Sequence, residues 1–159
     1  MTTHLNHPRN VRFAALVALT IAAAFATTVA SATTNAGRGA SIRTHSSSLG
    51  TIVVDTNGRT LYLFAKDKRN KSACSGACAS YWPPVLTHGK PIARAGVKAS
   101  LLGTTRRSDG SMQVTYAGHP LYRFALDTKA GQTKGEGLDD FGGEWDAVTP
   151  AGKHAEKDG

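Results

Sequence analysis

Beyond residue 48 the apolar residues come in short runs, each closed by a polar turn that carries glycine. Thr51-Ile52-Val53-Val54-Asp55 is β-branched and short, and Asn57-Gly58 separates it from Thr60–Ala65. Asn-Gly between two apolar runs predicts a hairpin with a type I′ turn, because both residues tolerate positive φ. In the return strand Tyr62 and Phe64 fall on one side and Leu61 and Leu63 on the other, since successive side chains alternate faces. Two apolar faces predict a central strand covered on both sides.

The pattern then returns with an offset of 60 residues. Gly58-Arg59-Thr60-Leu61-Tyr62-Leu63-Phe64-Ala65-Lys66-Asp67 aligns with Gly118-His119-Pro120-Leu121-Tyr122-Arg123-Phe124-Ala125-Leu126-Asp127, identical at six of ten positions. The six include the Tyr-x-Phe pair and the aspartate, so the aromatic face is what the two copies share. The opposite face of the second copy holds Arg123 beside Leu121, which predicts a half-exposed strand. Each copy runs through a polar loop to a tryptophan, Trp82 or Trp145.

Between the copies, Trp82-Pro83-Pro84-Val85 reads as stiff and extended, because proline fixes φ. Val97–Leu102 suits a helical turn or the approach to a strand. Leu101–Arg106, the turn Ser108-Asp109-Gly110 and Met112–Tyr116 predict a hairpin. Ala117-Gly118 then turns the chain into Pro120–Ala125 and completes a three-stranded meander. A glycine-rich acidic loop (Gly131 to Gly143) leads to a last strand around Glu144–Val148. The fold expected is all-β and mainly antiparallel: one small domain, residues 49–150, of two duplicated hairpin or meander units (about 49–86 and 101–149). The 17 glycines among 159 residues favour that class through the number of turns they supply.

The flanks read differently. Residues 1–12 are polar, with Arg9 and Arg12 and no acid; Phe13–Ala26 is an almost unbroken apolar run; Ala30-Ser31-Ala32 places small residues before a cleavage point. That three-part order is a secretory signal peptide, residues 1–32. The apolar run is short and alanine-rich for a membrane span. Both cysteines lie far downstream, so no acylated N-terminus is expected. Residues 33–48, rich in Thr, Ser, Ala and Gly, read as a flexible linker, and 151–159 as a frayed, disordered tail.

Charge changes the picture little. The net charge is +8, and losing Arg9 and Arg12 with the signal leaves +6. The one basic cluster, Lys66, Lys68, Arg69 and Lys71, carries no interleaved aromatic platform, so nucleic acid is not an expected partner. Attraction to an anionic polymer remains compatible with it.

Candidate chemistry starts with Cys74-Ser75-Gly76-Ala77-Cys78, the only cysteines. An even count in an exported chain reads as a disulfide, and a spacing of four meets its Cα separation if the loop makes a helical turn. A redox-active dithiol and a copper site are the alternatives. Copper would need histidine and methionine close by, and only Met112 and His119 offer themselves, if the fold returns them to Cys74 and Cys78. Asp67 and Asp127 could form an acid/base pair; capping of the turn that leaves each strand is the simpler role. Glu136, Asp139, Asp140, Glu144 and Asp146 lack calcium-loop spacing and read as a solvated patch. No nucleophile, phosphate-loop or dinucleotide motif is present, so no cofactor and no catalytic residue is assigned.

Taken together, Tyr62-x-Phe64-x-x-Asp67, Ser72-x-Cys74-x-Gly76-x-Cys78-Ala79-x-x-Trp82-Pro83-Pro84, and Tyr122-x-Phe124-x-x-Asp127 with Gly131, Gly135, Gly137 and Trp145 resemble the bacterial "secreted repeat of unknown function" family. The resemblance runs from about Leu49 to Gly152. It implies export, a tandem unit and an envelope or extracellular setting, and it carries no enzymatic activity. The expected protein is a secreted or periplasmic, non-enzymatic binding or structural module. Its partner is an unspecified envelope component, and its oligomeric state is not legible.

Overall fold

A computed structural model describes residues 1–3 and 39–155. The chain parts into two units, Met1–Thr33 and Thr34–Gly159, and every described element lies in the second. Apart from its first three residues, the expected signal peptide falls outside the described residues.

The described strands are β1 (Ser41–Ser47), β2 (Gly50–Asp55), β3 (Tyr62–Phe64), β4 (Ile92–Ala93), β5 (Leu102–Arg106), β6 (Met112–Tyr116), β7 (His119–Pro120), β8 (Leu138–Asp140) and β9 (Gly143–Ala147). One short helix, α1 (Ala77–Tyr81), and a 3-10 turn at Ala99–Leu101 complete them. They form three sheets with strand orders β2-β1-β4, β3-β9-β8 and β5-β6-β7. Pairing is antiparallel except for β1 with β4. The described fold is therefore all-β, with one short α-helix among the described residues, at the cysteine loop.

The organising feature is an exchange between the copies. The Tyr-x-Phe strand of the first copy, β3, pairs with β9, which carries the tryptophan of the second (Phe64 opposite Trp145). Reciprocally, the Tyr-x-Phe segment of the second copy takes the Trp82–Val85 segment of the first: Arg123 N donates to Pro83 O and Val85 N to Leu121 O. The two exchanges match bond for bond. Ala65 N donates to Glu144 O as Ala125 N does to Tyr81 O, and Val148 N to Leu61 O as Val85 N does to Leu121 O. At the centre the copies meet directly, Tyr62 N donating to Tyr122 O and Tyr122 N to Tyr62 O. In the Trp-Pro-Pro segment Pro83 O accepts Arg123 N, and proline has no N–H to return that bond.

Because strand side chains alternate, the two faces feed two cores. Tyr62, Phe64, Tyr122, Phe124, Trp82 and Trp145 share one cluster with Cys74 and Cys78. Leu61, Leu63 and Leu121 share the other with Ile42, Val53, Val85, Val114, Tyr116 and Val148. In the first, Phe64, Trp145, Trp82 and Phe124 stack in that order, with ring centroids 4.0, 3.9 and 4.4 Å apart. Tyr62 meets Trp82 edge-on, and Tyr122 meets Trp145 in the same way. Each aromatic pair adds about 0.5–1.5 kcal/mol beyond the area it buries.

Several expectations need correcting. Ser41–Ser47 is a strand, although residues 33–48 read as a flexible linker: β1 has one buried apolar residue, Ile42, and is held by its ladder with β2. Its sequence pattern is weak because the partner strand supplies the order. The tail is ordered through 155, with Ala155 N donating to Ala147 O and Gly152 and Ala155 buried. Leu138–Asp140, expected in the acidic loop, pairs with β9. The first hairpin does not use a type I′ turn. Asp55 Oδ1 accepts the N–H groups of Asn57 and Arg59, Gly58 N donates to Asp55 O, and only Gly58 has positive φ (77°) there. That is a three-residue loop with a glycine bulge. The type I′ turn occurs in the second copy, where Ala117 (φ 51°) and Gly118 (φ 88°) join Tyr116 to its partner His119.

The exchange predicts that neither copy is stable without the other's tryptophan. Trp82→Ala and Trp145→Ala are each expected to cost about 3–5 kcal/mol, and to melt both hairpins in one transition. Denaturant unfolding followed by probes placed in β2 and in β6 checks this; two separated transitions would refute the exchange.

Candidate functional site

The polar atoms that the two motifs share face inward and engage across the copies. Tyr62 Oη donates to Asp127 Oδ2 (2.6 Å), and Tyr122 Oη lies 2.8 Å from Asp67 Oδ2. Each hydroxyl thus reaches the carboxylate of the opposite copy. The second oxygen of each aspartate holds the loop leaving its own strand: Asp67 Oδ1 accepts Ala73 N (2.6 Å) and Asp127 Oδ1 accepts Lys134 N (2.9 Å). Turn capping is therefore half of what these residues do, and the tyrosine tie is the half that sequence reasoning missed. The invariant spacing Tyr-x-x-x-x-Asp in both copies was the available signal. In the structure the two pairs, each one hydroxyl to one carboxylate, are made crosswise.

Loop closure supports each tie. Gly135 N donates to Tyr62 Oη (3.3 Å), and a Cβ at Gly135 would stand 2.8 Å from the Trp82 ring. Only glycine lets this loop lie so close. On the other side Tyr122 Oη is 2.7 Å from Ser72 Oγ. With one proton to give, the phenol donates to the carboxylate and accepts from the serine hydroxyl. Burial raises both phenols above their ordinary pKa, with the facing aspartate charge adding to it. Burial pushes Asp67 up to about 6 against the bonds from Ala73 and Tyr122, and raises Asp127 likewise.

The cysteines are joined. Cys74 and Cys78 form a disulfide with Cα atoms 5.3 Å apart, folded over by α1 and packed in the aromatic core. Met112 lies instead in the wall of a cavity with Thr87, His88 and Leu102. His119, on β7, faces Arg69 and His154, and its pKa is lowered by burial and then by those charges. Neither belongs to the cluster that holds the disulfide, and among the described residues no three His, Cys, Asp or Glu side chains gather as a metal site. The acidic patch is used structurally in part: Glu136 Oε2 accepts Ala147 N, and Asp139 stands opposite Glu144 on neighbouring strands. The half-exposed Arg123 pairs with the buried Asp55 at 2.7 Å.

A residue not singled out from the sequence completes the region. Arg107, in the loop after β5, is buried; its Nη1 donates to Ser72 Oγ (3.0 Å) and Gln113 Oε1 (2.7 Å), and its Nη2 to Cys74 O (2.7 Å). It ties the β5–β6 turn of the second copy to the cysteine loop of the first.

The family profile of secreted repeats of unknown function matches residues 43–86 and 103–149, both copies. The chain belongs to that family. The profile's two segments coincide with the two exchanged units, and the gap between them holds β4 and the 3-10 turn. In this secreted-repeat protein the linking segment thus lies outside the repeat while still pairing with β1. No curated protein and no solved structure matches the chain. Among the described residues no helix is long and apolar enough to cross a membrane.

Two outcomes follow. Tyr62→Phe and Tyr122→Phe are each expected to cost about 1–3 kcal/mol, because each leaves a carboxylate oxygen short of its donor; chemical denaturation measures it. Asp67 holds its proton more tightly when folded (about 6) than unfolded (about 3.9). Its contribution to stability is therefore full below the unfolded value and declines as pH rises between them. Asn at 67 keeps an acceptor for Ala73, so the melting temperature of Asp67→Asn relative to wild type is expected to climb from pH 4 to pH 6. A flat difference would contradict the assignment.

Proposed function

We propose that this secreted-repeat protein is exported through a cleaved signal, residues 1–32, and works in the periplasm or outside the cell as a non-enzymatic binding or structural module of the envelope. The observation that carries this reading is the inward turn of the motif. The groups best able to do chemistry, the two aspartates and two tyrosines, are spent on each other, and the tryptophans on stacking. The disulfide is buried and lends no support to thiol or copper chemistry. What the loop of the first motif presents to solvent is cationic: Lys66, Lys68, Arg69 and Lys71 are all exposed.

Such a surface attracts anionic envelope material in a salt-dependent way. The mature protein, expected to begin at Thr33 by mass spectrometry, is expected to co-sediment with an envelope fraction at low ionic strength. It is expected to come off as salt is raised. A pull-down that recovers no protein, glycan or lipid from that fraction would overturn the proposal.

A further inference from the structure

Beside the cysteine loop lies a cavity of about 360 Å³ lined by Lys71, Ser72, Ser75, Arg106, Arg107 and Ser108, together with Ala73 and Cys74. Three cations and three hydroxyls line it, and no carboxylate does. The first wall belongs to the first copy and the second to the β5–β6 turn of the second, so the exchange of strands is what brings them together.

Arg107 is the telling member. Its side chain is 4% exposed, yet its three hydrogen bonds go to neutral acceptors, Ser72 Oγ, Gln113 Oε1 and Cys74 O. Buried charges are normally paired with an opposite charge. Here the Nε–H is buried without a hydrogen-bond partner. Asp109 Oδ2 stands 3.7 Å from it, beyond bonding distance, on a side chain 63% exposed. Asp67 is near enough for the guanidinium to draw its pKa down, but gives its oxygens to Ala73 and Tyr122. A fixed guanidinium with an open donor, two exposed cations at the rim and serine hydroxyls around it is the donor set that a tetrahedral oxyanion takes.

We infer that this cavity binds a phosphate group, with Arg107 as the preset donor, Arg106 and Lys71 closing over the charge, and Ser75 and Ser108 completing the shell. The inference deepens the envelope-binding reading and rests on it for its biological setting. Asp109 is the group the phosphate competes with for Nε.

The test is a titration of the isotope-labelled mature protein with inorganic phosphate and, separately, glycerol 3-phosphate at constant ionic strength. It follows the Arg107 Nε–H and the amides of Ser72, Ser75 and Ser108 by NMR. Saturable shifts at these four places are expected. Arg106→Gln with Lys71→Gln, both exposed, is expected to weaken binding about tenfold or more, and Asp109→Asn to tighten it. Glycerol phosphate binding as tightly as phosphate points to an esterified envelope phosphate, and inorganic phosphate alone to the free ion; either outcome supports the cavity. Shifts that do not saturate with either probe, or equal affinity in the double variant, would overturn it. If the double variant loses phosphate but still sediments with the envelope fraction, the cavity stands and the envelope is held elsewhere. If wild type binds phosphate but never sediments, the envelope reading fails alone.

Discussion

Two tryptophan rings lie face to face, 3.9 Å between centroids, and each comes from the copy whose Tyr-x-Phe strand it does not pair with. Everything else in the domain follows from that contact. For the rings to meet, each tryptophan segment must cross to the other copy and add itself as a strand. Once crossed, it leaves its own tyrosine facing the other copy's loop. The crosswise hydrogen bonds then tie the two buried tyrosine hydroxyls to the buried Asp127 and the half-buried Asp67. A single unit of this length has too little interior to be stable alone. Exchange lets two such units share one aromatic and one aliphatic core.

The near-symmetry also shows where the copies have diverged. Trp145 Nε1 donates to Asp140 O at 3.1 Å, whereas the equivalent nitrogen of Trp82 is buried with no partner. The cysteine pair and the helix exist only in the first copy, and the second closes its tyrosine tie with Gly135 in place of Ser72. The disulfide therefore pins one loop of two rather than the fold as a whole. That loop, with Arg107 reaching into it, is where the first copy has chemistry that the second lacks.

Arg107 also fixes a positive charge where the two copies meet. Its guanidinium is locked to the core through Gln113, whose own amide donates to Leu121 O. The charge cannot swing out to solvent, so the β5–β6 turn keeps a positive interior edge beside exposed Lys71 and Arg106. At the opposite loop, Arg59 donates to Phe124 O and leaves its Nε buried and unpaired. Asp67 lies near enough to Arg107, and Asp127 near enough to Arg59, for each guanidinium to draw the carboxyl's pKa down.

The amino-acid sequence by itself determined the strand class, the duplication, the aromatic face of each motif and the helical turn at the cysteines. All of these are local: alternation over a few residues, a repeated offset, or a spacing of four. What only the tertiary structure decided was non-local. Ser41–Ser47 carries one apolar residue and becomes a strand because β2 supplies its partner; 150–155 is ordered because Ala147 and Val148 hold it. Asn57-Gly58 has the letters of a type I′ turn, but the Asp55 carboxylate captures the neighbouring N–H groups and selects a bulge instead. The exchange itself is invisible in one dimension, since two identical motifs can pair within a copy or between copies with the same residues. Ring stacking at the centre favours the second, because only there do both tryptophans and all four motif rings leave water together.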